Sequence, residues 1–75
     1  MVKQVGILTV SDRCSRGEAE DTSGQSLADF FSDKPAFKVS QRLCVPDEKQ
    51  QIIEALQRWI QMKVNLVLTT GTVVS

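Results

Sequence analysis

The spacing of apolar positions changes repeatedly along the chain, and each change marks an element. Val5 to Val10 is a short, nearly continuous apolar run, the form of a parallel strand covered on both faces. The polar segment from Ser11-Asp12 through Glu20, with Gly17 inside it, reads as a loop. Asp21-Thr22-Ser23-Gly24 then supplies capping side chains for a helix whose inner face would be Leu27, Phe30 and Phe31, closed at Lys34-Pro35.

From Phe37 to Val45 the period falls to two, with Phe37, Val39, Leu43 and Val45 on one side and Lys38, Ser40, Arg42 and Cys44 on the other. Gln41 interrupts the apolar side, as befits an edge strand. Pro46-Asp47-Glu48-Lys49-Gln50 reads as a helix start, with Asp47 as the cap and Gln50 reaching back to it. Ile52, Ile53, Leu56, Trp59 and Ile60 form that helix's apolar stripe, and Val64 to Leu68 is a third strand running into Thr69-Thr70-Gly71-Thr72.

Strands alternating with helices predict an α/β fold: a parallel β-α-β-α-β unit of three strands and two main helices, joined by right-handed crossovers. Parallel strands bring Ser11-Asp12, Pro46-Asp47 and Thr69-Thr70-Gly71 to one edge. With strand order 2-1-3, the loops after the first and third strands diverge and leave a crevice, the usual ligand position in open α/β sheets.

Composition narrows the chemistry. Nine basic and nine acidic residues cancel and are interspersed, so a nucleic-acid partner is not expected. Histidine is absent, which argues against a zinc hydrolase or a histidine-based triad. Cys14 and Cys44 are too few and too far apart for a disulfide framework, and reduced thiols in a cytoplasmic protein are the expectation. Cys14 has no histidine to activate it and is given no catalytic role. No signal peptide follows Met1, and no apolar run approaches the roughly 20 residues of a membrane span, so no membrane partner is expected.

Each polar feature has a plain structural reading beside a functional one. Thr69-Thr70-Gly71-Thr72 is either a strand-ending turn or a cradle of hydroxyls and amides for an anionic group. Asp47 is a helix cap, or a carboxylate that holds Mg²⁺ near a nucleotide. Ser11 and Asp12 either close the first strand in a turn or line the site; Asp21, Ser23 and Gly24 read as capping residues.

Four segments in this order resemble the molybdenum-cofactor biosynthesis domain shared by bacterial molybdopterin adenylyltransferases and the N-terminal domain of gephyrin. They are Leu8-Thr9-Val10-Ser11-Asp12, Glu20-Asp21-Thr22-Ser23-Gly24, Val45-Pro46-Asp47-Glu48 and Asn65-Leu66-Val67-Leu68-Thr69-Thr70-Gly71. The resemblance implies transfer of AMP from Mg-ATP to molybdopterin, both acting as substrates, with no tightly bound cofactor in this chain and a trimer as the usual family assembly. It places Thr69, Thr70, Gly71 and Thr72 at the pterin or its phosphate, Ser11 and Asp12 in the substrate site, and Asp47 as the catalytic carboxylate at the nucleotide and Mg²⁺ end.

The family pattern continues Thr-Thr-Gly-Gly-Thr-Gly, whereas here Gly71 is followed directly by Thr72 and Val73-Val74-Ser75. Residues 1–75 therefore read as the N-terminal half of the family domain, with 72–75 as a tail outside it. On that reading the chain alone is inactive. A scaffold module of gephyrin type, or a non-functional splice or gene-model fragment, is the alternative.

Overall fold

The computed structural model describes residues 2–70 and contains β1 (Lys3–Val10), α1 (Asp12–Ser15), α2 (Thr22–Ser32), β2 (Phe37–Val45), α3 (Lys49–Gln61) and β3 (Leu66–Thr70). Gly71, Thr72 and the rest of the expected 72–75 tail lie outside the described residues. All three strands are parallel, in the order β2-β1-β3. This is the expected α/β topology with one addition: the segment after β1 is not all loop, because Ser11 caps the short helix α1 by accepting the Cys14 N–H at 3.2 Å.

The central strand serves two cores. Val5 and Ile7 are fully buried against Phe31 of α2, with Leu27, Ala28, Phe37, Val39 and Leu68 around them. On the opposite face Leu8 packs with Val45, Ala55 and Trp59, backed by Val10, Ile52, Leu56, Val64 and Val67. Helices thus cover both faces, which is why β1 reads as an unbroken apolar run. Burial of each large β1 side chain contributes about 1.5–3 kcal/mol. Gly6 lies under the Trp59 ring, where a Cβ would stand 2.7 Å from Cε3, so the indole approaches the sheet only because this position has no side chain.

Strict alternation along β2 fails. Val5 pairs with Val39 and Gly6 with Gln41, leaving Ser40 as a bulge. Phe37 and Val39 consequently face α2, whereas Val45 joins the α3 core and Leu43 is 39% exposed. Arg42 and Cys44 move to the α2 face with Phe37 and Val39, and Gln41 is no longer an interruption of an apolar row.

Two helix faces also differ from expectation. Phe30 is 56% exposed: Leu27, Ala28 and Phe31 fill the inner stripe, and Phe30 sits on its flank, edge-on to Phe31 and beneath the Lys34 ammonium. Ile60 is 71% exposed for the same reason, with Ala55 taking a central place in the α3 stripe. Asp47 is not the cap of α3. Glu48 holds that position, without a side-chain capping bond. The helix ends in a Schellman motif, in which Val64 donates to the Trp59 carbonyl and Lys63 to that of Ile60, with Lys63 at φ 62°. Asn65 then locks β3 to β1, donating from its N–H to the Gln4 carbonyl and accepting the Gln4 N–H on Oδ1 at 2.8 Å.

Candidate functional site

The strand-end edge carries a polar cavity of about 340 Å³ lined by Thr9, Ser11, Cys14, Glu20, Asp21, Thr22, Ser23 and Thr70. It opens between the ends of β1 and β3, on the face covered by α2, where the strand order 2-1-3 leaves the crevice.

Register decides which predicted residues enter it. Thr70 pairs with Thr9 and Thr69 with Leu8. Since adjacent residues of a strand point to opposite faces, Thr70 joins Thr9 at the cavity and Thr69 turns toward the α3 side, where it is exposed. Ser11 lines the cavity with its oxygen engaged in capping α1. Gly71 and Thr72 are outside the described residues.

Asp12 and Asp47 form a second, adjacent locus at the ends of β1 and β2. The Asp47 N–H donates to Asp12 Oδ1 at 2.9 Å, so backbone pairing at this edge is extended by a side chain. Both residues are exposed. With the capping position taken by Glu48, the Asp47 carboxylate has no capping bond to maintain. Oxygen donors of this kind suit Mg²⁺.

The residue that organises the cavity is Asp21. Its Oδ1 accepts from the Thr9 hydroxyl at 2.8 Å and from the Gly24 N–H at 2.9 Å, while Oδ2 faces the Arg42 guanidinium at 3.2 Å. Arg42 also donates to Gln25 of α2 at 2.9 Å. Burial pushes the Asp21 carboxyl up, but the Thr9, Gly24 and Arg42 contacts together outweigh it and hold the group below its ordinary value. Gly24 leaves room beside it, because a Cβ there would overlap the Asp21 carboxylate and displace it from these partners. The capping role of Asp21 was legible in its position before an apolar stripe; its bonds to Thr9 and Arg42 depend on pairing of distant segments and left no local signal.

Cys14 and Cys44 are joined in a disulfide, with Cα atoms 6.1 Å apart, which corrects the expectation of two reduced thiols. Thirty residues separate them in sequence, but Cys44 pairs with Thr9 near the end of β1, and α1 begins three residues after Thr9 and folds back over β2. Cys14 consequently lies over the end of the neighbouring strand. No helix among the described residues is long and apolar enough to cross a membrane.

The geometry has close counterparts. The molybdopterin biosynthesis enzyme MoaB from Thermus thermophilus superposes with a TM-score of 0.83 at 38% identity, over 91% of this chain and 43% of that one. The tungsten cofactor synthesizing protein MoaB from Pyrococcus furiosus gives 0.80 at 33% identity, over 93% of this chain and 42% of that one. In sequence, the molybdopterin adenylyltransferase of Pyrococcus furiosus is 38% identical over 66 residues, covering 88% of this chain and 38% of that protein. Gephyrin of Dictyostelium discoideum is 33% identical over 76 residues, covering 89% of this chain and 11% of that protein. The chain therefore spans less than half the length of each of these relatives. The family described as "Probable molybdopterin binding domain" matches residues 6–73. On the match to its sequence and on the shared β2-β1-β3 architecture, the chain belongs to the molybdenum-cofactor biosynthesis (MoCF_biosynth) family.

Proposed function

We propose that this chain supplies part of a molybdopterin adenylyltransferase site, in which AMP passes from Mg-ATP to molybdopterin with release of pyrophosphate. The observation that carries this reading is the polar cavity in the crevice between β1 and β3, in a chain 38% identical to a protein named for that activity.

The two loci divide the work. In the cavity, Thr70 and Ser11 offer hydroxyls, the first amides of α2 present their positive end, and Glu20 supplies a carboxylate acceptor. This mixture suits the amino and ring N–H donors of a pterin together with its phosphate. Mg²⁺ would be held through Asp47, with Asp12 beside it, and would neutralise phosphate charge. Gly71 and Thr72 continue the substrate loop on this reading, and Thr69, on the opposite face of β3 from Thr70, reaches substrate only from outside the cavity wall. Asp12 orients the chain at Asp47 through their hydrogen bond, so it acts on the nucleotide end by positioning. Catalysis of this type rests on positioning and charge neutralisation.

These residues come from one part of the family domain, and the full site, like a trimeric assembly, draws on segments beyond those matched here. Titration of the purified chain with molybdopterin tests the reading. Binding weakened about tenfold by Thr70→Val, with no AMP transfer from radiolabelled ATP by the chain alone, is the expected result. Turnover by the chain alone would refute the partial-site reading, and absence of molybdopterin binding would refute the assignment of the cavity.

A further inference from the structure

Three ligand-bearing side chains from three separate elements converge at the wall of the cavity. The Cys14 and Cys44 sulfurs and a carboxylate oxygen of Asp21 lie within 4.8 Å of one another. Cys14 comes from α1, Cys44 from the end of β2, and Asp21 from the cap of α2. We propose that, with the disulfide reduced, Cys14, Cys44 and Asp21 form a three-ligand site for a thiophilic divalent cation of the Zn²⁺ class, with its fourth position open to the cavity.

Geometry supports this directly. A tetrahedral ion with Zn–S bonds of about 2.3 Å holds two sulfurs about 3.8 Å apart. Reaching that separation requires opening the S–S bond and turning the side chains of two cysteines whose Cα atoms stand 6.1 Å apart. The carboxylate is already held in place, because Thr9 and Gly24 donate to Oδ1 at 2.8 and 2.9 Å and Arg42 to Oδ2 at 3.2 Å, and an ion would share one of these oxygens with its present partners. Partners of this kind around a metal ligand set its direction.

Charge closes as well. Two thiolates, one carboxylate and a divalent ion sum to one negative charge, and the Arg42 guanidinium, 3.2 Å from Asp21, balances it. Cys14 and Asp21 both line the cavity, so an ion bound between them stands at its wall with room for a water or a substrate atom.

Metal and disulfide exclude each other. A dithiol reductant supplies two electrons and two protons; the S–S bond breaks, two S–H groups form, and the reductant leaves as its own disulfide. Each thiol then releases its proton on binding the ion. The site is independent of the adenylyl-transfer reading, since it is tested by metal binding alone.

The test is titration of the dithiol-reduced chain with Zn²⁺, and with Co²⁺ as a spectroscopic substitute, while Trp59 emission reports the fold. One ion per chain, a thiolate-to-cobalt charge-transfer band, joint protection of both cysteines from alkylation, and no binding by the oxidised chain are expected. Asp21→Asn, which keeps the helix cap, weakens binding at least about tenfold. If reduction unfolds the chain, one equivalent of Zn²⁺ restores the native Trp59 signal. Equal binding by the oxidised chain, protection of one cysteine alone, unchanged affinity in Asp21→Asn, or failure of Zn²⁺ to bind or to restore the fold would each overturn the proposal.

Discussion

Asp21 does three things at once, and replacing it in two ways separates them. Asp21→Ala removes a helix cap worth about 1 kcal/mol. It also strands the hydroxyl of Thr9, only 4% exposed, which costs a further 1–3 kcal/mol or so. The ion pair adds less than about 1 kcal/mol, because the Arg42 side chain is 35% exposed. The sum is about 3 kcal/mol, a large share of the roughly 4–11 kcal/mol available to a chain of this size. Asp21→Asn keeps an oxygen where both Thr9 and Gly24 donate but turns an amide NH2 toward Arg42 in place of Oδ2, so it loses the charge and the partly exposed Arg42 contact together, at a cost of about 1 kcal/mol or less. Urea unfolding followed by the buried Trp59, with both variants at unchanged slope, measures the difference. An alanine cost below about 1 kcal/mol, or an asparagine cost equal to it, would refute this account of Asp21. The carboxyl's folded pKa lies below its unfolded value of 3.8, so its stabilisation is complete above that value and is lost as pH falls through the folded pKa. Asp21→Asn should remove that part of the acid sensitivity.

Gly6→Ala drives a methyl into the Trp59 ring and should lower stability by about 1–3 kcal/mol, visible as a lower urea midpoint and a shifted Trp59 emission. Lys63→Gly relieves a left-handed backbone at the end of α3 and should raise stability by about 0.5–1 kcal/mol in the same assay. Deleting Ser40 removes the residue that the β1 ladder already skips, so both cores and the Cys14–Cys44 bond should survive. An intact mass two hydrogens below that of the reduced chain checks this, and free thiols would contradict it.

The sheet was legible because its signals are local: the apolar run of β1, the turn chemistry between elements and the alternation of strand and helix suffice for a parallel 2-1-3 arrangement. That the ends of β1, β2 and β3 share one edge was legible for the same reason, and of the residues expected there Ser11 and Thr70 line the cavity. What escaped was the finer placement. A bulge at Ser40 has no composition of its own, so the faces of Arg42, Leu43 and Cys44 could not be read from alternation. The disulfide depends on that bulge and on α1, a helix of four residues too short to show periodicity. Thr69 and Thr70 look equivalent in sequence, and only their pairing with Leu8 and Thr9 sends them to different sides.

The same face of β2 carries Phe37 and Val39 near its start and Arg42 and Cys44 near its finish. The strand is therefore zoned along its length, an oily base below a reactive rim, with the extra residue at the boundary. Side chains on the rim can be exchanged without repacking the base, so sequences built on this scaffold are free to vary the chemistry bordering the cavity while the sheet beneath stays the same.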